Sequence, residues 1–332
     1  MYIGCDLFSS SIKFQRIDKL TLSKIKKKIK SDKIIEVIPE KREQKNLDKV
    51  EIYWGNRINS NLIKKMPNLK WIHFASTGIN KDIYEQIKKK KIKVTNTQNL
   101  YSSAVSSTVL SFIFSLARGT HYCNFLRAEK KLNRFHFDKI SNSIQDVYFQ
   151  SILIVGLGEI GNKIAKVCNS LGMEIFAIKK KSVMKKPKYV KKIFQLKKLK
   201  KAVSGKDYIV NLLPVTNNTK NIFNKNIFNS MKKNSIFINV GRGGTVNERD
   251  LLKVLKKNRI SGAGLDVMVN EPISMKSSFL KLKNVIITPH IAGVTNNFWD
   301  KQISLFFENL IRYKRNSNLQ YLKNFSNIKE GY

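Results

Sequence analysis

Residues 151–181, SILIVGLGEIGNKIAKVCNSLGMEIFAIKKK, constrain the fold more than any other stretch of the chain. The apolar run 152–155 is short enough for a strand buried on both faces, and it breaks at Gly156, Gly158 and Gly161 before a helical period begins. Ile160, Ile164, Val167 and Leu171 recur at helical spacing, Gly172 supplies a stop, and residues 173–178 read as a second strand. This pattern predicts a βαβ unit. A glycine-rich turn opening a helix in that context holds a dinucleotide pyrophosphate on its amides and on the helix N-terminus. About 20 residues further on, such sites usually carry Asp or Glu for the ribose hydroxyls. Here Lys179 stands there, followed by Lys180, Lys181 and Ser182, cations and a hydroxyl that suit a 2′-phosphate. The same run also reads as solvated surface in a lysine-rich chain. The expected cofactor is NAD(P), leaning to NADP.

With 332 residues, 42% of them hydrophobic, the chain has material for about two ordinary domains. Ahead of the βαβ unit, residues 34–38, 50–54, 71–75 and 92–95 read as strands, and 61–66 and 81–89 as short helices, giving a small α/β unit. The turn at 75–80, ASTGIN, follows a strand end, where α/β folds present backbone amides to ligands. Residues 102–118 form one mostly buried helix, and the less regular stretch 119–150 is available to pack against a second subunit. Tyr53 and Trp54 are read as pocket-forming. Beyond residue 181, strands at 208–213, 235–240, 262–267 and 285–289 alternate with helices at 224–231 and 248–257. That alternation predicts a doubly wound, mostly parallel sheet, followed by an amphipathic helix at 295–314.

A formal net charge of +40 would draw in polyanions whatever the fold. Only 11 of the 63 basic residues are Arg, however, and the lysines are spread through every segment. A dedicated nucleic-acid surface concentrates Arg or interleaves aromatics. The expectation is therefore weak nonspecific polyanion binding and no specific nucleic acid. Cys5, Cys123 and Cys168 lack metal or redox spacing and read as free thiols, and no apolar run approaches the ~20 residues that cross a bilayer. Both point to a cytoplasmic protein without a membrane partner.

Three strand ends in the second half carry polar groups that a core does not need. They are Arg242 between glycines in INVGRGG, Asp266 and Glu271 in GLDVMVNEP, and His290 in TPHIAG. Together they put a cation, carboxylates and an imidazole where dinucleotide-binding sheets bind ligands. His73, His121 and His136 lie in no such constellation. Neither metal-ligand spacing nor a GxSxG elbow occurs, so metal and serine-hydrolase chemistry drop out.

These motifs, with STGIN at 76–80, AVSSTVLSFIFSLARG at 104–119, VGLGEIG at 155–161, NLLPVTNNTKNIF at 211–223 and ENLIRY at 308–313, occur in an order that resembles the D-isomer-specific 2-hydroxyacid dehydrogenases. The resemblance implies a Rossmann-type doubly wound coenzyme domain at 102–293. It also implies a smaller flavodoxin-like α/β catalytic domain built from both chain ends, 1–101 and 294–332, and a homodimer. Arg242 would anchor the substrate, His290 would be the acid/base and Glu271 its partner. Thr77 and Gly78 would offer amides to the substrate carboxylate, Gly156, Gly158, Glu159, Ile160 and Gly161 would form the pyrophosphate turn, and Asp266 would hold the nicotinamide carboxamide. The implied reaction is hydride transfer between NAD(P)H and a small anionic 2-keto or D-2-hydroxy acid of the glyoxylate, hydroxypyruvate or phosphoglycerate type. Ser106, Ser107 and Thr108 depart from the family's usual Ala-Glu-His, and Asn247 stands where Asp is frequent. The alternative, supported by the charge, is a nucleotide-sensing binding protein or corepressor-like scaffold on the same fold.

Overall fold

The structure is a computed structural model and describes residues 1–8, 17–29, 32–79, 81–140, 143–179, 186–315 and 322–325. In chain order the first elements are β1 (Tyr2–Cys5), α1 (Lys19–Ile29), β2 (Lys33–Glu36), β3 (Val50–Gly55), α2 (Ser60–Lys65), β4 (Trp71–Phe74), α3 (Tyr84–Lys89) and β5 (Lys93–Thr95). Next come α4 (Ser102–Ala117), α5 (Thr120–Ala128), α6 (Arg134–Asp138), β6 (Ser151–Val155), α7 (Glu159–Ser170), β7 (Glu174–Ile178) and β8 (Lys192–Phe194). The rest are α8 (Leu199–Val203), β9 (Tyr208–Asn211), α9 (Lys225–Ser230), β10 (Ile236–Asn239), α10 (Glu248–Lys256), β11 (Gly262–Leu265), β12 (Val285–Ile287) and α11 (Phe298–Arg315). The chain divides into two compact units, Met1–Tyr101 with Val294–Tyr332, and Ser102–Gly293.

In the first unit a five-stranded sheet runs β2-β1-β3-β4-β5, with every pairing parallel. Neither β1 nor α1 is in the sequence reading; β1, which pairs with both β2 and β3, is only four residues long, YIGC, and lacks an alternating pattern. Gly4 has a close-packing role there, since a Cβ on it would lie 3.1 Å from Val37. Tyr53 and Trp54 are not pocket residues. Both are fully buried, Trp54 stacked on Phe306 at 4.2 Å and Tyr53 donating its hydroxyl to Asp6 at 2.6 Å. A parallel strand covered on both faces buries consecutive side chains, so neither aromatic has an open side.

The second unit holds a seven-stranded parallel sheet, β12-β11-β10-β9-β6-β7-β8, with buried clusters on both faces. Helix α7 meets that sheet on a face that includes Ile164 but is centred on smaller residues than the sequence suggested. Gly161, Ile164, Ala165 and Cys168 are buried, whereas Val167 is 42% exposed and Ile160 and Leu171 are partly buried. Close approach selects small side chains: a Cβ on Gly161 would lie 2.5 Å from the Gly156 carbonyl oxygen. Gly172 stops the helix in the left-handed region, at φ 70°. The stretch 119–150, read as irregular, contains α5 and α6. Its exposed apolar side chains include Leu132, Phe135, Tyr148 and Phe149. Among the described residues no helix is long and apolar enough to cross a membrane, and no cluster of His, Cys, Asp or Glu has metal-holding geometry.

Candidate active site

The glycine-rich turn joins β6 to α7, and its glycines have separable tasks. Gly156 sits at φ 114°, in the region that favours glycine, with its N–H bonded to the Ile178 carbonyl at 3.1 Å. Gly161 lets helix and strand close on each other. A Cβ on Gly158 would meet nothing within 4 Å, so open space lies above the turn at the helix start, where no side chain caps the amides. That room and those amides fit a pyrophosphate. The Glu159 carboxylate is engaged elsewhere, accepting from Ser102 Oγ at 2.8 Å with Lys163 Nζ 3.8 Å away. Ile160 follows it in the first turn of α7. Lys179 directly follows β7, partly exposed, its N–H bonded to the Phe194 carbonyl. Lys180, Lys181 and Ser182 lie outside the described residues.

The strand ends of β10, β11 and β12 bring the chemical groups together. After β10, a Cβ on Gly241 would lie 2.7 Å from the Leu213 carbonyl oxygen and one on Gly243 would lie 2.0 Å from Met268 C. Only glycine on each side of Arg242 lets this segment press against both neighbouring loops. Beneath it is a buried polar net that the sequence reading missed. Asn211 Nδ2 donates to Asn239 Oδ1 (2.9 Å) and Thr245 Oγ1 (2.7 Å), and Thr245 Oγ1 donates to the Arg242 carbonyl (2.7 Å). Burial lowers the Arg242 guanidinium from its usual value and the Glu271 charge opposes that shift, so the group remains a cation at neutral pH.

Glu271 lies in the loop after β11. Its Oε1 accepts from the Met268 N–H at 2.9 Å and its Oε2 is 2.7 Å from His290 Nδ1. This pairing fixes Nδ1 on the carboxylate and leaves Nε2 as the outward nitrogen of a half-exposed ring. His290 itself adopts φ 54°, held there by its N–H bonding to the Asp266 and Thr288 carbonyls, both at 2.9 Å. The Asp266 side chain is 2% exposed and clamps the same loop. Oδ1 accepts from Thr288 Oγ1 (2.6 Å), Ile291 N–H (2.9 Å) and Ala292 N–H (3.1 Å), while Oδ2 accepts from Ala292 N–H alone (3.1 Å).

In the other unit, Thr77 and Gly78 follow β4 in a turn whose carbonyls are held one by one. Gln302 Nε2 on α11 donates to Ala75 O (2.6 Å), Thr97 N–H to Ser76 O (3.2 Å), Asn96 Nδ2 to Thr77 O (3.1 Å) and Ser76 Oγ to Gly78 O (3.0 Å). Gln302 is fully buried, and sequence reading missed it. Departures from the family pattern have local roles: Ser106, Ser107 and Thr108 bond back to carbonyls four residues earlier in α4, and Asn247 caps α10 by accepting from Asp250 N–H.

Residues 110–292 match the family model described as the D-isomer specific 2-hydroxyacid dehydrogenase, NAD binding domain. This chain belongs to the D-isomer specific 2-hydroxyacid dehydrogenases. The dehydrogenase is 30% identical over 276 residues to a glyoxylate reductase of Pyrococcus horikoshii, an alignment covering 82% of this chain and 81% of the relative. It is 30% identical over 242 residues to a probable 2-ketogluconate reductase of Dictyostelium discoideum, covering 72% and 71%. The solved structure of an NADPH-dependent glyoxylate/hydroxypyruvate reductase from Sinorhizobium meliloti, in complex with citrate, shares the fold with a TM-score of 0.76 at 18% identity, covering 94% of both chains. Membership makes this protein an NAD(P)-dependent oxidoreductase of the CH–OH group. A binding-only scaffold is not favoured.

Proposed function

We propose that this dehydrogenase reduces a small 2-keto acid to the D-2-hydroxy acid, with glyoxylate or hydroxypyruvate as substrate and NADPH as the preferred coenzyme. In this reading the unit Ser102–Gly293 binds the coenzyme, and the backbone amides of Thr77 and Gly78 offer themselves to the substrate carboxylate. The observation that carries it is His290 on Glu271 at 2.7 Å, on a strand-end loop of the sheet that also presents Arg242. The coenzyme, when bound, supplies the hydride. Gly156, Gly158 and Gly161 shape the turn so that its open amides at the start of α7, with Glu159 and Ile160, would hold the pyrophosphate, Lys179 would meet the 2′-phosphate and Asp266 would take the carboxamide. As negative charge grows on the substrate carbonyl oxygen, His290 Nε2 donates a proton to it and Arg242 supplies fixed positive charge. Glu271 orients the ring and favours its protonated form. The guanidinium fork matches a carboxylate in a way that an ammonium cannot.

The names of the Pyrococcus and Sinorhizobium relatives support the substrate, and the latter's NADPH dependence together with Lys179 supports the coenzyme. Exposed Leu132, Phe135 and Phe149 on the arm after α5 support a homodimer. Three free thiols support a cytoplasmic location. Coenzyme oxidation followed at 340 nm with NADPH and with NADH, over glyoxylate, hydroxypyruvate, pyruvate, 2-oxoglutarate and phosphohydroxypyruvate, tests the proposal. Turnover of glyoxylate or hydroxypyruvate is the expected result, faster with NADPH. Absence of turnover with all five acids would overturn it.

A further inference from the structure

The loop that carries Glu271 is held at two successive amides by two different carboxylates. Glu271 Oε1 takes the Met268 N–H at 2.9 Å, and Glu248 Oε1 takes the next one, Val269 N–H, at 2.6 Å. Glu248 comes from another element, the first residue of α10, whose position is fixed by the Asn247 cap and by Leu251, Val254 and Leu255 in the core. Its held oxygen therefore ties a strand-end loop, with Val269 half-exposed, to a packed helix. The loop also presses on Gly243, where any Cβ would overlap Met268. The loop is thus packed on the Arg242 segment and held by Glu248. We propose that Glu248 is a positioning residue for the reaction, setting the loop so that Glu271 Oε2 reaches His290.

Burial raises the Glu248 carboxyl above its usual value, the Val269 amide counteracts this and the nearby Glu271 charge adds to it. A carboxylate is thus kept beside a second one despite the cost. The Val269 amide accounts for its placement, since a carboxylate with only a helix-end role has no need to reach across to that loop. The inference rests on the assignment of Glu271 and His290 as the catalytic pair.

Two substitutions separate reach from charge. Glu248→Asp keeps a negative charge at the helix N-terminus, where it is tolerated, but withdraws the oxygen by one methylene. Glu248→Gln keeps the reach and an acceptor oxygen while removing the charge. Misplacement of a catalytic group by about an ångström costs roughly up to a hundredfold, so Glu248→Asp should lower kcat by roughly tenfold to a hundredfold. NADPH affinity, read by nucleotide fluorescence, should stay at the parent value, and Glu248→Gln should retain most of the parent kcat. In a cycle with Glu271→Gln, the Glu248→Asp effect should largely vanish, because the group it positions is already gone. Parent-like kcat in Glu248→Asp, a loss confined to Glu248→Gln, or full additivity with Glu271→Gln would each overturn the proposal. If the parent enzyme turns over none of the keto acids, the failure belongs to the underlying functional reading.

Discussion

His73 offers a quantitative test of the burial on which the five-stranded sheet depends. It lies on β4, 0% exposed, with Nδ1 2.7 Å from Thr95 Oγ1, which also accepts from Trp71 Nε1 at 2.9 Å. Burial pushes its pKa down to about 3. An unfolded histidine titrates near ~6.5, so the proton binds the unfolded chain more readily than the folded one. His73 therefore costs nothing above that value, and stability is lost as pH falls through 6.5 towards the folded value. At pH 5 the unfolded side chain has gained about 1.5 pH units of protonation at ~1.4 kcal/mol each, a loss of about 2 kcal/mol. Leucine fills a similar volume and cannot titrate, so His73→Leu should remove that part of the acid sensitivity. The lost Thr95 bond would add a pH-independent cost of ~1 kcal/mol. Urea unfolding at pH 7.5 and pH 5 measures the difference between parent and variant, which cancels the contributions of other titrating groups. Tryptophan fluorescence suits the assay because Trp54, Trp71 and Trp299 all belong to the unit that contains β4. Parent and variant losing equal stability between the two pH values would refute the reasoning.

His290→Gln should lower kcat by about 10²–10⁴ while leaving NADPH affinity intact, and Arg242→Lys should raise KM as well as lower kcat; steady-state kinetics on the best keto acid separates the two. Lys179→Asp should weaken NADPH binding tenfold to a hundredfold, from loss of a charge-assisted contact of ~1.5–3 kcal/mol, and leave NADH binding unchanged or improved in a fluorescence titration. Gln302→Met removes the donor that holds Ala75 O at 2.6 Å, and should raise the keto-acid KM by roughly tenfold with NADPH affinity unmoved.

The sequence made the second unit more legible than the first because its strands are continuous apolar runs and its chemistry restricts residue type at strand ends. Arg242, Glu271 and His290 stand out on that ground alone, and the structure brings Glu271 and His290 to 2.7 Å. Where packing distance rather than polarity decides, the reading slipped. On α7 it followed Ile160, Ile164, Val167 and Leu171; Ile164 is buried and Ile160 and Leu171 pack against the core, but Val167 is exposed, and the reading left out Gly161, Ala165 and Cys168, which hydropathy alone does not mark as part of the face. Tyr53 and Trp54, read as pocket-forming, lie on a strand covered on both sides, which leaves no room for a pocket.

Glu248 and Gln302 were invisible for a different reason, and it bears on what kind of residue sequence reading can find. Each acts on a backbone atom, Val269 N–H and Ala75 O, and the second partner is 227 residues distant along the chain. A side chain paired with another side chain leaves two chemical traces that can be matched, as Glu271 and His290 do. A side chain paired with a peptide group leaves one, because every residue except proline supplies the partner. Such a residue looks like ordinary surface or ordinary helix until the fold is known. Residues that position loops through the backbone are therefore under-counted by motif reading, and here they hold both the loop bearing Glu271 and the turn bearing Thr77 and Gly78.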